Sequence, residues 1–297
     1  MSEPIFPGLS SVVIVAADSG PLLRAAIDSA LASSAPVEVI LVDNASQDGE
    51  VERALSEHSG DARLRLVRNA SNLGFGPACN RGAAVAHGDV FVFLNPDCEL
   101  QPDTLEGLRG ALDEGGRIGL LGVVVYDAAG LPGRGNRRRD PTLRRALMSV
   151  SGLARFEARW PALAGIEMPA PSVASGIEYV DAVSGACMTV RRRAFEEIGG
   201  FDEAYFLHAE DLDLCRRLRA AGWRVALTHD LCVRHLQGSS SRRRPLFVAR
   251  HKHRGMWRYF RTFDPAARNP LLRAAVWSGI WAHFLVIALR YKLRGPG

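Results

Sequence analysis

Lysine is almost missing from this chain of 297 residues: Lys252 and Lys292 are the only two, so arginine carries nearly all of the +5 formal charge. Cysteine is also scarce. Cys79, Cys98, Cys187, Cys215 and Cys232 are odd in number and show no C-x-x-C spacing, which excludes a disulfide framework or structural zinc site and fits a reducing compartment. Met1 to Leu9 has neither the basic nor the apolar region of a signal peptide, so the chain is expected to stay in the cytoplasm. No internal repeat is visible. With 47% hydrophobic and 23% charged residues, the balance is that of a globular protein large enough to bury a full core.

What is present begins with alternation. Apolar runs at Ser11–Ala17, Val37–Val42, Arg63–Val67, Asp89–Leu94 and Gly119–Tyr126 read as strands. Helical patterns at Pro21–Ser33, Gln47–His58, Pro77–Ala86 and Pro102–Glu114 separate them. Continuous apolar strands divided by helices predict an α/β fold, a mainly parallel, nucleotide-binding sheet covered on both faces. The pattern breaks over Asp127–Asn136 and Trp160–Ser175, with a short helix expected at Leu143–Ala154; this middle region reads as an acceptor loop. Order resumes at Tyr179–Val190, with helices at Arg192–Ile198 and Asp211–Ala221 and short strands at Arg224–Leu227 and Cys232–Arg234.

Chemistry-bearing residues stand where these strands end. Asn95-Pro96-Asp97 closes the run Val90–Leu94, and Pro96 stops strand pairing just before the carboxylate, at the edge where open α/β sheets bind ligands. Asp43-Asn44 closes the second strand, offering acceptors for a base or ribose; capping of the next helix by Asn44 or Ser46 explains them equally. Asn72-Leu73-Gly74-Phe75-Gly76 opens a helix, and its glycines suit close approach of a diphosphate. Asp97 has the character of a hard-cation ligand shared with phosphates. Glu210, Asp211 and Asp213 crowd a first helical turn; dipole complementarity accounts for Asp213, and function is expected of Asp211.

These pieces together resemble family 2 glycosyltransferases of the GT-A fold, most of all their bacterial rhamnosyltransferase-like branch. The resemblance covers roughly residues 11 to 238 and adds Ser184-Gly185-Ala186, Gly199-Gly200-Phe201-Asp202 and Glu210-Asp211-Leu212-Asp213-Leu214-Cys215. It implies that Asp18, Asp43 and Asn44 meet the base and ribose. Asn72, Gly74, Phe75, Asn80, Asn95 and Glu210 would join them around the donor. Asp97 would fill the metal position of the family's Asp-x-Asp element, whose first Asp is Asn95 here. His235 would complete that metal site, with Mg²⁺ or Mn²⁺ bound. Ser184, Gly185 and Ala186 would line the sugar, and Asp211 would be the catalytic base. Ala16-Ala17-Asp18 departs from the Thr-Tyr-Asn that the family often carries there.

The activity implied is inverting, metal-dependent transfer of a sugar, rhamnose being one candidate, from a dTDP- or UDP-sugar to a glycan or lipid-linked acceptor in cell-envelope polysaccharide synthesis. A nucleotidyltransferase and a non-catalytic nucleotide-sugar-binding subunit are the alternatives. No nucleic acid partner is expected, and a homo-oligomer is left open. The catalytic domain is expected over residues 1–240, followed by a basic, apolar helical extension over 241–297. Within it, Leu271–Leu289 is apolar but broken by Arg273 and His283, and its unbroken part falls short of the ~20 residues of a spanning helix. Arg290, Lys292 and Arg294 follow, so peripheral contact with the inner face of the membrane is favoured over spanning; packing against the domain or a dimer partner is the alternative. Two arginine groups, Arg134 to Arg145 and Arg242 to Arg261, suit phosphates or an anionic surface, a solvated loop being as good a reading of the first.

Overall fold

The computed structural model describes residues 4–133, 135–169, 175–236 and 244–294. Arg134, Arg242, Arg243 and part of the Pro/Ala-rich stretch, named above, lie outside these residues. So does the expected domain boundary at 240.

A nine-stranded sheet forms the centre. Strands β1 (Phe6–Ala16), β2 (Val37–Asp43), β3 (Leu64–Arg68) and β4 (Gly88–Leu94) run parallel in the order β3-β2-β1-β4. Strand β1 is buried on both faces because its side chains alternate between two cores. Val12, Ile14 and Ala16 join one cluster, Val13 and Val15 the other. Strand β4 does the same, with Val90, Val92 and Leu94 facing one way and Phe91 and Phe93 the other.

Helices α1 (Leu22–Leu31), α2 (Glu50–Glu57) and, beyond a two-residue β5 (Cys98–Glu99), α4 (Thr104–Glu114) cover the first face. Helix α1 shows why. Leu23, Ala26, Ile27, Ala30 and Leu31 recur at helical spacing and are all buried. Helix α3 (Phe75–Val85), α6 (Arg192–Glu197) and α7 (Glu210–Ala220) cover the second face, around Phe91, Phe93, Phe195 and Phe201. Each fully buried side chain of this size is worth roughly 1.5–3 kcal/mol.

The second half of the sheet is mixed. Strand β6 (Ile118–Tyr126) is parallel to β11 (Arg224–His235), but β10 (Cys187–Arg191) is inserted antiparallel between β4 and β6. Strands β5 and β8 (Ile177–Tyr179) flank β11, β7 (Arg137–Arg138) pairs β9 (Ala182–Val183), and helix α5 (Leu143–Val150) follows β7 in the chain. The two short strands expected at Arg224–Leu227 and Cys232–Arg234 are one strand with a register shift between Thr228 and Cys232.

Two helices close the chain. Helix α8 (Pro245–Phe263) is built into the molecule: Tyr259 joins the second core, and its hydroxyl donates to Asp140 Oδ1 at 3.1 Å. Helix α9 (Pro270–Arg294) crosses α8 beside the His253–His283 contact of 3.0 Å and leaves Leu271, Trp277, Leu285, Leu289 and Leu293 exposed. Its stretch Pro270–Leu293 is, among the described residues, the one helix long and apolar enough to cross a membrane by length and composition. The helix continues through Arg273 and His283, the residues that interrupt its apolar run.

Candidate active site

Register brings the predicted residues to one edge. Ala16 pairs with Asp43, Asp43 with Arg68, and Ile14 with Leu94, so β1, β2, β3 and β4 all end there. Strand β10 starts from the same edge, Cys187 lying opposite Leu94, and β11 ends there at His235 opposite Cys98. Asp18, Asp43, Asn95, Asp97, Ser184, Gly185, Ala186 and His235 therefore border one rim.

Asp18 and Asp43 are tied into the first loops. Asp18, at φ 54°, accepts from Gln47 N at 2.7 Å, and Asp43 accepts from Ser46 N at 2.9 Å with Arg68 at 3.5 Å. Ala45, at φ 62°, is strained between them.

Asn44 is not placed as the sequence suggested. It is 2% exposed, its amide donates to Asn72 Oδ1 (2.9 Å) and the Gly74 carbonyl (3.1 Å), and its oxygen accepts from Asn69 and Leu73 (both 3.0 Å). Every hydrogen-bonding position of the side chain is taken, so Asn44 and Asn72 hold the loop to α3. The glycine turn at Gly74-Phe75, from which a phosphate cradle was expected, makes contacts within the fold. Phe75 N donates to the Phe206 carbonyl at 2.8 Å, and a Cβ on Gly74, at φ 94°, would stand 2.4 Å from that oxygen. The glycine admits the loop before α7 rather than a ligand. Asn80 likewise clasps the Gly200–Glu203 turn, accepting from Phe201 N (2.9 Å) and donating to Phe201 O (2.9 Å) and Glu203 (3.1 Å).

That loop carries the acids. His208 and Ala209 sit at φ 66° and 71°, and α7 begins at Glu210. Glu210 is buried, its Oε2 has no hydrogen-bond partner, and desolvation, with the Asp211 charge beside it, pushes its carboxyl up to about 8. It points into the core rather than at the rim. Asp213 is buried against Arg217 at 2.6 Å, a structural pair.

Asp211 faces the rim turn. A Cβ on Gly185 would lie 3.3 Å from Asp211 Oδ2, so the turn and this carboxylate approach each other closely. Ala186, next in the turn, accepts from Asn95 N at 2.9 Å, which leads through Pro96 to Asp97. Asp97 Oδ1 lies 3.0 Å from His235 Nε2, and Leu236 N donates to the Asp97 carbonyl at 2.9 Å. Two ligands at right angles around a cation with bonds near 2.1 Å stand about 3 Å apart, so this carboxylate and imidazole fit a divalent ion. The Cys98 thiol lies in the same group but is buried, its pKa raised by desolvation, and is a poor ligand for a hard cation.

The arginines were harder to foresee. Rather than forming a solvated patch, Arg137 pairs with Glu178 (2.7 Å), Arg138 with Asp211 (2.5 Å), Arg139 with Glu157 (3.1 Å) and Arg145 with Asp181 (3.3 Å). Asp140 gathers Arg216, Arg219 and Tyr259. None of these pairings has a local signal, since the partners lie far apart in sequence.

Against this geometry, the sequence pattern of glycosyl transferase family 2 matches residues 11–166, and that of glycosyl transferase family 21 matches residues 147–262. The N-acetylglucosaminyl-diphospho-decaprenol L-rhamnosyltransferase of Mycobacterium tuberculosis is 32% identical over 270 residues, 83% of this chain and 86% of that one. The chain belongs to glycosyl transferase family 2. Family 2 membership makes it a glycosyltransferase, and solved structures agree on the GT-A fold. The Pyrobaculum calidifontis mannosyltransferase in complex with GDP-Man and Mn²⁺ superposes with a TM-score of 0.57 at 20% identity, over 95% of this chain and 75% of that one. GalNAc-T7 with UDP, GalNAc and Mn²⁺ gives 0.60 at 17% identity, over 89% of this chain; the chain spans about half (51%) of its length.

Proposed function

We propose that this family 2 enzyme is an inverting, metal-dependent rhamnosyltransferase that moves its sugar from a dTDP- or UDP-linked donor to a lipid-diphosphate-linked acceptor. The observation that carries the reading is the short path along one rim from Asp211, across Gly185-Ala186, to Asn95 and the Asp97–His235 pair. That path supports reading Asp211 as a general base and Asp97–His235 as a cation site on either side of one turn. The kinship to a rhamnosyltransferase whose name specifies a decaprenol-linked acceptor supports the choice of sugar and acceptor.

Asp211 accepts the proton of the acceptor hydroxyl as that oxygen bonds to the anomeric carbon from the face opposite the diphosphate. The bond between that carbon and the diphosphate oxygen breaks, and the nucleoside diphosphate leaves with the electron pair. Asp97 and His235 would hold a divalent cation, whose positive charge would offset the negative charge that builds on the departing diphosphate. Asp18 and Asp43 border the nucleoside end, and Ser184 to Ala186 the sugar.

Calorimetry with UDP-, dTDP- and GDP-sugars, with Mn²⁺ and then EDTA, tests the donor class. Metal-dependent binding of a dTDP- or UDP-sugar is expected; binding of a nucleoside triphosphate alone would turn the assignment toward nucleotidyl transfer. Asp211→Asn should abolish transfer to N-acetylglucosaminyl-diphospho-polyprenol while donor affinity stays within a few-fold. Asp97→Ala should remove the metal dependence of donor binding, and unchanged affinity would count against the cation site.

A further inference from the structure

The strap Gly135–Asp140 lays Arg138 on the base, a contact that the transfer chemistry above does not use. Its guanidinium donates to Asp211 Oδ2 at 2.5 Å and to the Val183 carbonyl, while Asp211 Oδ1 accepts from Leu212 N at 2.8 Å. The Arg138 Nε is buried without a hydrogen-bond partner, so the group is committed to this spot at a desolvation cost. The other titratable groups facing the pair are Glu210, Cys215 and His208. Burial pushes the Glu210 carboxyl up to about 8 and the Cys215 thiol up to about 12, and it pushes the His208 imidazole down. Lys252 and His251 of α8 act on His208, and Arg219 acts on Cys215. Arg138 is thus the cation in contact with the Asp211 carboxylate.

We propose that Arg138 is the positioning residue of the catalytic base: its guanidinium holds the Asp211 carboxylate turned toward the Ser184–Ala186 turn. This rests on the assignment of Asp211 as base. A single tie from the strap to Val183 would anchor β7 to β9; the second donor bond goes to the reacting group. The charge-assisted bond fixes the direction of the carboxylate, which a lysine's single ammonium reproduces only in part.

The test measures kcat and KM for the full chain with Mn²⁺, dTDP-rhamnose and N-acetylglucosaminyl-diphospho-polyprenol, comparing Arg138→Met and Arg138→Lys. Arg138→Met should lose about tenfold or more in kcat while both KM values stay within a few-fold. Arg138→Lys should recover part of that kcat. A rise in KM with kcat unchanged, rates equal to the unaltered protein, or a lysine variant no better than the methionine one would overturn the proposal and leave Arg138 a structural tie. If Arg138→Met does not fold by circular dichroism, Arg138→Lys decides: full kcat, or a loss carried by KM alone, overturns it. Full turnover in Asp211→Asn would instead remove the base assignment itself.

Discussion

Two adjacent acids at the start of α7 meet different fates. The pattern Glu210-Asp211 marked a turn from which function was expected, but it could not say which carboxylate faced the rim; the approach to α7 passes through left-handed backbone at His208 and Ala209. Glu210 turns inward, where burial raises its pKa to about 8. The folded state then holds a proton that an unfolded glutamate releases near the ordinary carboxylate range. Stability present below that range is lost as pH rises toward about 8. Glu210→Gln should flatten this slope: between pH 5 and pH 8 the variant should lose less of its urea midpoint than the unaltered protein. A parallel decline in both would show that Glu210 is ionised in the folded chain. Asn44 and Gly74 teach the same lesson. Their residue types were read correctly as special, but their partners, Asn72 and the Phe206 carbonyl, are set by the fold.

Elements were legible where contacts are local and obscure where they are not. The strand–helix alternation through α4 follows from apolar runs and helical spacing, and the observed parallel order β3-β2-β1-β4 agrees with it. The insertion of β10 between β4 and β6 was not readable, because an apolar run gives no sign of its partner's direction. Helix α8 lies within the helical extension expected over 241–297, but its packing against the acid-bearing loop had no signal in the sequence. Its role rests on Gly255, where a Cβ would stand 2.5 Å from the His208 carbonyl, and on His251 and Phe247, which pack on Phe206 with ring centroids at 4.3 and 5.6 Å. The helix thereby presses the acid-bearing loop into place. Gly255→Val should push α8 off that loop, costing about 1–3 kcal/mol of stability and lowering kcat more than donor affinity. A variant with normal stability and normal kcat would show that α8 only decorates the domain.

At the scale of the whole molecule, the unsolved energy lies outside the sheet. Helix α9 is 25 residues long, roughly 37 Å at the α-helical rise, and holds exposed Leu271, Trp277, Leu285, Leu289 and Leu293 in water. Around that apolar stretch stand exposed cations: Arg250, Lys252, Arg254, Arg261, Arg268, Arg273, Arg290 and Lys292. Apolar surface between basic ends suits the headgroup boundary of an anionic bilayer, where buried area and charge attraction add. A lipid-linked acceptor would then meet the rim while its polyprenyl chain stays in the membrane. Removal of residues 271–297 should carry the protein from the membrane fraction to the soluble one. On vesicles containing phosphatidylglycerol, the full chain should co-sediment and release as salt rises, and the truncated chain should not bind. Phosphatidylcholine vesicles should hold the full chain more weakly. If both forms ignore vesicles while the full chain sediments as a dimer and the truncated chain as a monomer, the exposed face of α9 belongs to a second copy instead. Because α8, with Tyr259 in the core and Gly255 on the catalytic loop, remains in the truncated chain, its turnover of a water-soluble acceptor should persist in either case.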